Sequence, residues 1–161
     1  MIIAHDVFAE SNPAFGTFAL VGFCQHHIAA SYEAPPLCLA YLALPIAMSE
    51  DLAHTFDETR ATTGLLSWLN RYPDIRLKLG DRFDCSKETV SSTIRFALST
   101  KALTLGKYGA IELGCNMPKM KPVADLPTNS KKVVKRAERL GIWMANAGSA
   151  GSIYSAFGVM P

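Results

Sequence analysis

Few residues in this chain have the types and spacing that catalysis or metal binding requires. Cys24 and His27 have a short spacing of the kind found among zinc ligands, but no second ligand pair follows at the expected distance. A buried thiol beside partly exposed histidines is the better interpretation. None of the four cysteines forms a C-x-x-C pair, and the N-terminus lacks the basic residues of a secretory signal. We therefore predict reduced thiols, no disulfide and a cytoplasmic protein.

The motifs that bind phosphate groups or activate a serine are also missing. The only Gly-Lys pair, Gly106-Lys107, is followed by Tyr108, where a Walker A loop needs Ser or Thr. Ser149 has Ala147 at the position where a nucleophile elbow needs glycine. We therefore predict a protein that is not an enzyme and that holds no metal or cofactor of its own.

Helices dominate the predicted secondary structure. We predict N-caps at Asn12, Ser49, Thr62 or Thr63, Ser86 and Ser149. The first helix should extend to about Tyr32, since Pro13 suits the first helical position. Residues 13–32 are uncharged, but Gln25 and the adjacent histidines favour a buried helix over a membrane span.

A β-hairpin is predicted after these helices. Apolar residues from Leu103 to Leu113 flank a turn at Gly106-Lys107-Tyr108-Gly109. Short helices, a capped helix over 86–100 and then a hairpin follow the order of a winged helix-turn-helix. The predicted fold is mainly α with a small β-hairpin, a winged-helix-like α+β domain with a C-terminal helical extension. Its parts are residues 1–114, a Pro-containing linker over 115–129, and a basic helix with an apolar tail over 130–161, together one compact unit. The basic helix should bury an apolar stripe of Val133, Ala137, Leu140 and Met144.

Charge is divided unevenly along the chain. Residues 1–59 contain seven acids and no Lys or Arg, whereas residues 60–161 carry all 16 basic residues and a net charge of +9. Such a division can steer association with an acidic partner or a nucleic acid, unless the two halves mix in space. The candidate DNA or phosphate contacts are Lys87, Arg95, Lys107, Lys131, Lys132, Lys135 and Arg136. A solvated helix face is the alternative interpretation of the last four.

The last 22 residues contain no charged side chain but several large apolar ones. Because burying one such side chain is worth roughly 1.5–3 kcal/mol, this segment should pack against something. The candidate anchors of a protein interface are Trp143, Ile153, Tyr154, Phe157 and Met160. The alternative is that these side chains complete the core of the chain itself.

Three stretches of the sequence match a known family in order. They are Asn12-Pro13-Ala14-Phe15; Leu42 to Ile46 with Thr63-Gly64-Leu65 and Trp68-Leu69; and Arg139 to Trp143 with Ala147-Gly148-Ser149 and Phe157-Gly158-Val159-Met160-Pro161. Through them the chain resembles the middle component of bacterial three-component ABC systems over nearly its whole length.

The resemblance implies an adaptor rather than a catalyst. Such systems pair an SMC-like or Rad50-like ABC ATPase with a middle component and an effector subunit that carries a nuclease or another toxic domain. They act in antiviral and anti-plasmid defence. The implied function is to bridge the ATPase and the effector, with auxiliary DNA contact through the complex and no membrane partner. The alternative is a stand-alone winged-helix transcription regulator that binds DNA.

Overall fold

The computed structural model describes residues 12–77, 79–119 and 126–160. The predicted extended lead-in over residues 1–11 and residues 120–125 of the predicted linker lie outside the described residues. The described part contains helices α1 (Pro13–Ser31), α2 (Ala40–Met48), α3 (Leu65–Arg71), α4 (Leu79–Ser99), α5 (Thr128–Ala145) and α6 (Ala150–Phe157), and strands β1 (Leu103–Leu105) and β2 (Ile111–Leu113). Short 3-10 segments cover Leu37–Leu39, Glu50–Phe56, Pro73–Arg76 and Lys107–Gly109. The prediction of a mainly α fold with a small hairpin is confirmed.

Helix α1 lies at the centre of the molecule. It begins as predicted, because Asn12 Oδ1 accepts a hydrogen bond from the Ala14 amide at 2.9 Å and Pro13 occupies the first turn. It ends at Tyr32, which adopts a left-handed conformation with φ of 61°. The helix packs against α2, α4 and α5, so it is buried on several sides. Among the described residues, no helix is long and apolar enough to span a bilayer.

The C-terminal helix α5 packs along α1 and belongs to the same hydrophobic core. Its predicted apolar stripe of Val133, Ala137, Leu140 and Met144 is buried, as expected. The two helices approach closely at Gly141. A Cβ on Gly141 would collide with the Phe23 carbonyl oxygen, so only glycine fits at this crossing.

Two predicted N-caps are wrong. Helix α4 begins at Leu79, and Ser86 lies within it with its hydroxyl donating to the Phe83 carbonyl at 3.1 Å. Helix α3 follows Gly64, whereas the Thr63 hydroxyl accepts a hydrogen bond from the Arg60 amide in the preceding turn. Ser and Thr can hydrogen-bond the local backbone in turns and inside helices as well as at N-caps, and that ambiguity explains both errors.

The predictions at Ser49 and Ser149 have different outcomes. Ser149 is an N-cap, since its hydroxyl accepts from the Ser152 amide at 3.2 Å. Ser49 does precede a helical segment, the 3-10 turn Glu50–Phe56, but its hydroxyl donates back to the Pro45 carbonyl of α2. The segment before Pro45 is helical, and Pro45 lies inside α2 near its end.

The hairpin is fastened to the helical core along one edge. Strands β1 and β2 pair in antiparallel register, with Leu105 opposite Ile111. The amide of Ile111 donates to the Pro35 carbonyl at 2.8 Å, and Pro36 bridges to Ala110. The connection between α1 and α2 therefore holds the hairpin in place. The hairpin follows α4 in the chain, whereas the winged-helix arrangement itself stays a prediction.

Candidate interaction surfaces

Four of the five predicted interface anchors lie in the core of the chain itself. Trp143, Ile153, Tyr154 and Phe157 are all buried. Of the two alternatives for the uncharged tail, the structure therefore shows the one in which these side chains pack on their own core. Met160 differs from the other four, because it is 92% exposed.

An aromatic cluster explains why the tail packs inward. Trp143 stacks on Phe56 with ring centroids 5.9 Å apart, and Trp68 lies 5.4 Å from Trp143 and 6.5 Å from Phe157. The polar edge of Trp143 is satisfied, since its indole Nε1 donates to the Arg60 carbonyl at 3.1 Å. Aromatic pairs at such distances contribute beyond their buried area, so this cluster holds the tail on α3 and α5.

The tail is also bound by a tyrosine hydroxyl. Tyr154 donates from its hydroxyl to the Cys38 carbonyl at 2.8 Å, which links α6 to the 3-10 segment Leu37–Leu39 before α2. Burial, with a smaller contribution from the Cys38 thiol, raises the pKa of Tyr154 to about 12. The phenol therefore stays protonated and remains a donor throughout the physiological pH range.

Cys24 and His27 are buried, and their pKa values are shifted by that burial. Burial raises the pKa of the Cys24 thiol to about 12, which disfavours the thiolate that a metal would need. His27 Nδ1 lies 3.1 Å from the Glu33 carbonyl, to which it donates, and burial lowers the pKa of this histidine. Within the described ranges, no group of three or more His, Cys, Asp or Glu side chains is placed to hold a metal ion.

The predicted basic cluster on α5 divides into one buried arginine, Arg136, and three lysines nearer the surface. The Arg136 Nε donates to the Ala47 carbonyl at 2.7 Å, and its Nη2 donates to Glu50 Oε1 at 2.8 Å. Because Arg136 is buried with these partners, it is not available for the predicted phosphate contact. Lys132 and Lys135 are exposed and Lys131 is half-buried, so the lysines keep the surface position that the prediction gave them.

Acidic side chains accompany the predicted DNA-contacting residues of α4. Lys87 Nζ lies 2.7 Å from Asp84 Oδ1, and Arg95 Nη2 lies 2.7 Å from Glu88 Oε1. All four side chains are largely exposed. A helix entering a DNA groove would bring these carboxylates towards phosphates, which is electrostatically unfavourable. The exposed face of α4 is therefore a poor match to a recognition helix.

The hairpin tip is a surface that the sequence prediction only partly identified. Lys107 is exposed there, as expected. Beside it, Tyr108 is fully exposed and Leu105 is 55% exposed. Neither apolar side chain was predicted to be functional. The available signal was an aromatic residue inside a predicted turn, where Asn, Asp and Gly are the usual residues.

Other large apolar side chains are exposed away from the hairpin. They are Tyr32, Leu66, Leu77 and Phe96, together with Met160. Arg76, the neighbour of Leu77 in the chain, donates from Nε to the Ala156 carbonyl of α6 at 2.8 Å. The molecule thus exposes apolar side chains at several places outside a well-packed core.

The described residues form a small helical domain with one β-hairpin and scattered exposed apolar side chains. The sequence matches, over residues 3–161, the family described as ABC-three component (ABC-3C) system Middle Component 3. The chain belongs to this family, the middle component of ABC-three component systems. Comparisons with curated proteins and with solved structures gave no match.

Proposed function

We propose that this middle component is a non-catalytic adaptor that binds an SMC-like ABC ATPase and an effector subunit in a cytoplasmic defence complex. Family membership supports its action within an ABC-three component system. The observation that carries the adaptor function is that several large apolar side chains remain exposed outside the packed core, among them Leu66, Leu77, Leu105, Tyr108 and Met160. Tyr and Met are enriched at protein interfaces relative to the rest of a protein surface, which supports a binding role for Tyr108 and Met160.

Auxiliary DNA contact is a second part of the proposal. The lysines near the start of α5, Lys131, Lys132 and Lys135, extend from a helix N-terminus that carries no acidic residue in its first turn. Lysines at this end of a helix add to the positive potential of its free amides, which favours an acidic partner. Within a complex, these side chains would contact DNA phosphates, whereas α4 would face protein or solvent.

Affinity purification of the tagged full chain from its native host, followed by mass spectrometry, tests the adaptor function. We expect an ABC ATPase and a third, effector-bearing subunit to co-elute at moderate salt. The tag alone, expressed in the same host, is the control for non-specific recovery. Recovery of the chain by itself, stable and monodisperse, would overturn the adaptor proposal.

The defence function requires a separate measurement. Deleting the gene for this chain should raise phage plating efficiency and plasmid establishment as much as deleting the ATPase gene does. Complementation with the intact chain should restore protection. Equal phage and plasmid sensitivity with and without the chain would contradict the defence function while leaving the adaptor proposal in place.

A further inference from the structure

The turn of the hairpin places a tyrosine where the backbone favours glycine. Tyr108 and Gly109 have φ angles of 57° and 73°, and the Ala110 amide donates to the Lys107 carbonyl. Positive φ at both central positions is the pattern of a type I′ turn, which normally selects Asn-Gly or Gly-Gly. A fully exposed Tyr108 thus occupies an unfavourable conformation, and no packing contact from the described part of the chain explains it.

Backbone hydrogen bonds hold the hairpin that carries the Tyr108 side chain. The Gly106 amide donates to the Ala110 carbonyl at 2.9 Å, and the Ile111 amide donates to Pro35 at 2.8 Å. Ile111 is buried, whereas its cross-strand neighbour Leu105 is 55% exposed and lies close to the turn. Because the backbone of the hairpin is held in this way, it loses little conformational entropy when the exposed side chains that it carries bind a partner.

The charges at the tip define the kind of partner. Lys107 is exposed beside Tyr108, and the Glu112 side chain lies against Gly106 from β2. One cation and one carboxylate beside two apolar side chains do not match a phosphate backbone, which requires several cations. They match a protein surface that has an apolar pocket, a carboxylate facing Lys107 and a hydrogen-bond donor facing Glu112.

We propose that the hairpin tip, formed by Leu105, Lys107 and Tyr108, is the docking site for another protein subunit of the system. That subunit receives Tyr108 and Leu105 in an apolar pocket with a carboxylate at its rim beside Lys107. This inference rests on the proposed adaptor function, and it assigns that function a surface.

Tyr32 provides a matched control for Tyr108. Both are exposed tyrosines with positive φ, 61° at Tyr32 and 57° at Tyr108, and both lie at points where glycine is conformationally suited. Tyr32→Gly and Tyr108→Gly should therefore each unfold at a temperature no lower than the wild-type chain. A difference in partner binding between the two variants is then caused by loss of the Tyr108 side chain and not by a change in folding.

The test is reconstitution of the complex from all three purified subunits, with wild-type chain, Y32G or Y108G. We expect wild type and Y32G to assemble with equal affinity, and Y108G to bind at least about tenfold more weakly. Lys107→Glu should also weaken assembly, and the loss of affinity should be larger at low salt than at high salt, because the rim of the partner's pocket is acidic. Equal assembly by wild type and Y108G would overturn the hairpin docking site while leaving the adaptor function intact.

Other outcomes reject the inference in distinguishable ways. If the wild-type chain joins no complex, the adaptor function fails and the docking site fails with it. If light scattering shows that the wild-type chain forms dimers that Y108G abolishes, the tip binds a second copy, not another subunit. If Y108G loses only duplex DNA binding, the tip is a nucleic-acid contact and the proposed protein partner is wrong.

Discussion

At the residue scale, the motifs that led to the family are mainly structural in this fold. Gly141 allows α5 to cross α1, and Trp143 fills the aromatic cluster. Asn12 caps α1, and Gly158 ends α6 with a φ of 74°. A motif shared by a family thus identifies the fold, whereas the exposed apolar residues proposed to function lie mostly outside the matched stretches.

Gly141→Ala is expected to destabilise the chain. The new Cβ would collide with the Phe23 carbonyl oxygen and lie 3.1 Å from the His27 nitrogen, and these backbone atoms belong to a buried helix that cannot shift freely. Overpacking of this kind costs roughly 1–3 kcal/mol, and we expect about 2 kcal/mol in urea unfolding followed by circular dichroism. Gly151→Ala is the control, since its nearest neighbour, Ser149 Oγ, lies 3.8 Å away. That exposed substitution should be neutral or stabilising, and equal destabilisation by both would contradict the crossing argument.

His27 should make stability depend on pH just below neutrality. Burial lowers its pKa from the ordinary 6.5, so the unfolded chain binds a proton at a higher pH than the folded chain does. The free energy of unfolding is therefore highest above pH 6.5 and falls as the pH drops from 6.5 towards the folded pKa. Urea unfolding at pH 7.5, 6.5 and 5.5 measures this loss. His27→Gln should flatten the dependence, and an unchanged slope in this variant would assign it to another group.

At the element scale, arginines tie the helices together through the carbonyl groups at helix ends. Arg136 donates to Ala47 near the end of α2, and Arg76 donates to Ala156 near the end of α6. Arg139 donates to the Phe56 carbonyl at the end of a 3-10 segment at 3.1 Å. Cations at these positions satisfy free carbonyl groups and favour the negative end of the helix dipole. These three arginines therefore have structural roles.

Arg136→Met tests this assignment. It removes two charge-assisted hydrogen bonds and leaves the Ala47 carbonyl without its donor, so we expect a loss of about 2 kcal/mol in the free energy of unfolding. Lys132→Met, on the same helix and exposed, should change stability by less than about 0.5 kcal/mol. Thermal unfolding of both variants gives the comparison. If Arg136→Met folds as stably as Lys132→Met, Arg136 does not hold α2 and α5 together.

Sequence reasoning succeeded where one local rule determines an element. The Asn12 cap, the hairpin turn and the apolar stripe of α5 each follow from a short pattern. It failed where tertiary contact decides, as when α4 extends back to the buried Leu79. It also treated Arg136 as a surface cation, because a helical pattern gives no sign of which arginine meets a carbonyl from another helix. The exposure of Leu105, an apolar strand residue, likewise could not be predicted from the alternation of apolar and polar residues along the strand.

At the scale of the whole molecule, the acidic and basic halves of the sequence meet in space. Asp51 pairs with Arg82 through two hydrogen bonds, at 2.7 and 3.1 Å, and Glu50 pairs with Arg136. The hydrogen bond from Arg82, more than its charge, lowers the pKa of Asp51. These pairs join residues before position 60 to residues after it. The net charge of +9 on the second half therefore overstates the basic surface that a partner would meet.

The DNA affinity of the isolated chain follows from that reduced surface. Duplex binding through Lys131, Lys132 and Lys135 alone would neutralise about three phosphates, so the logarithm of affinity should fall with the logarithm of salt with a slope no steeper than about −3. Replacing the three lysines by Ala should remove most of this dependence. Arg95→Ala should leave it unchanged, because Arg95 is already paired with Glu88. Fluorescence anisotropy with several duplex sequences at 50 to 200 mM salt, roughly the range over which such contacts are lost, measures the DNA affinity of each variant and its dependence on salt. Tight, sequence-selective binding that Arg95→Ala abolishes would instead establish the chain as a DNA-binding regulator that uses α4, in spite of the carboxylates beside it.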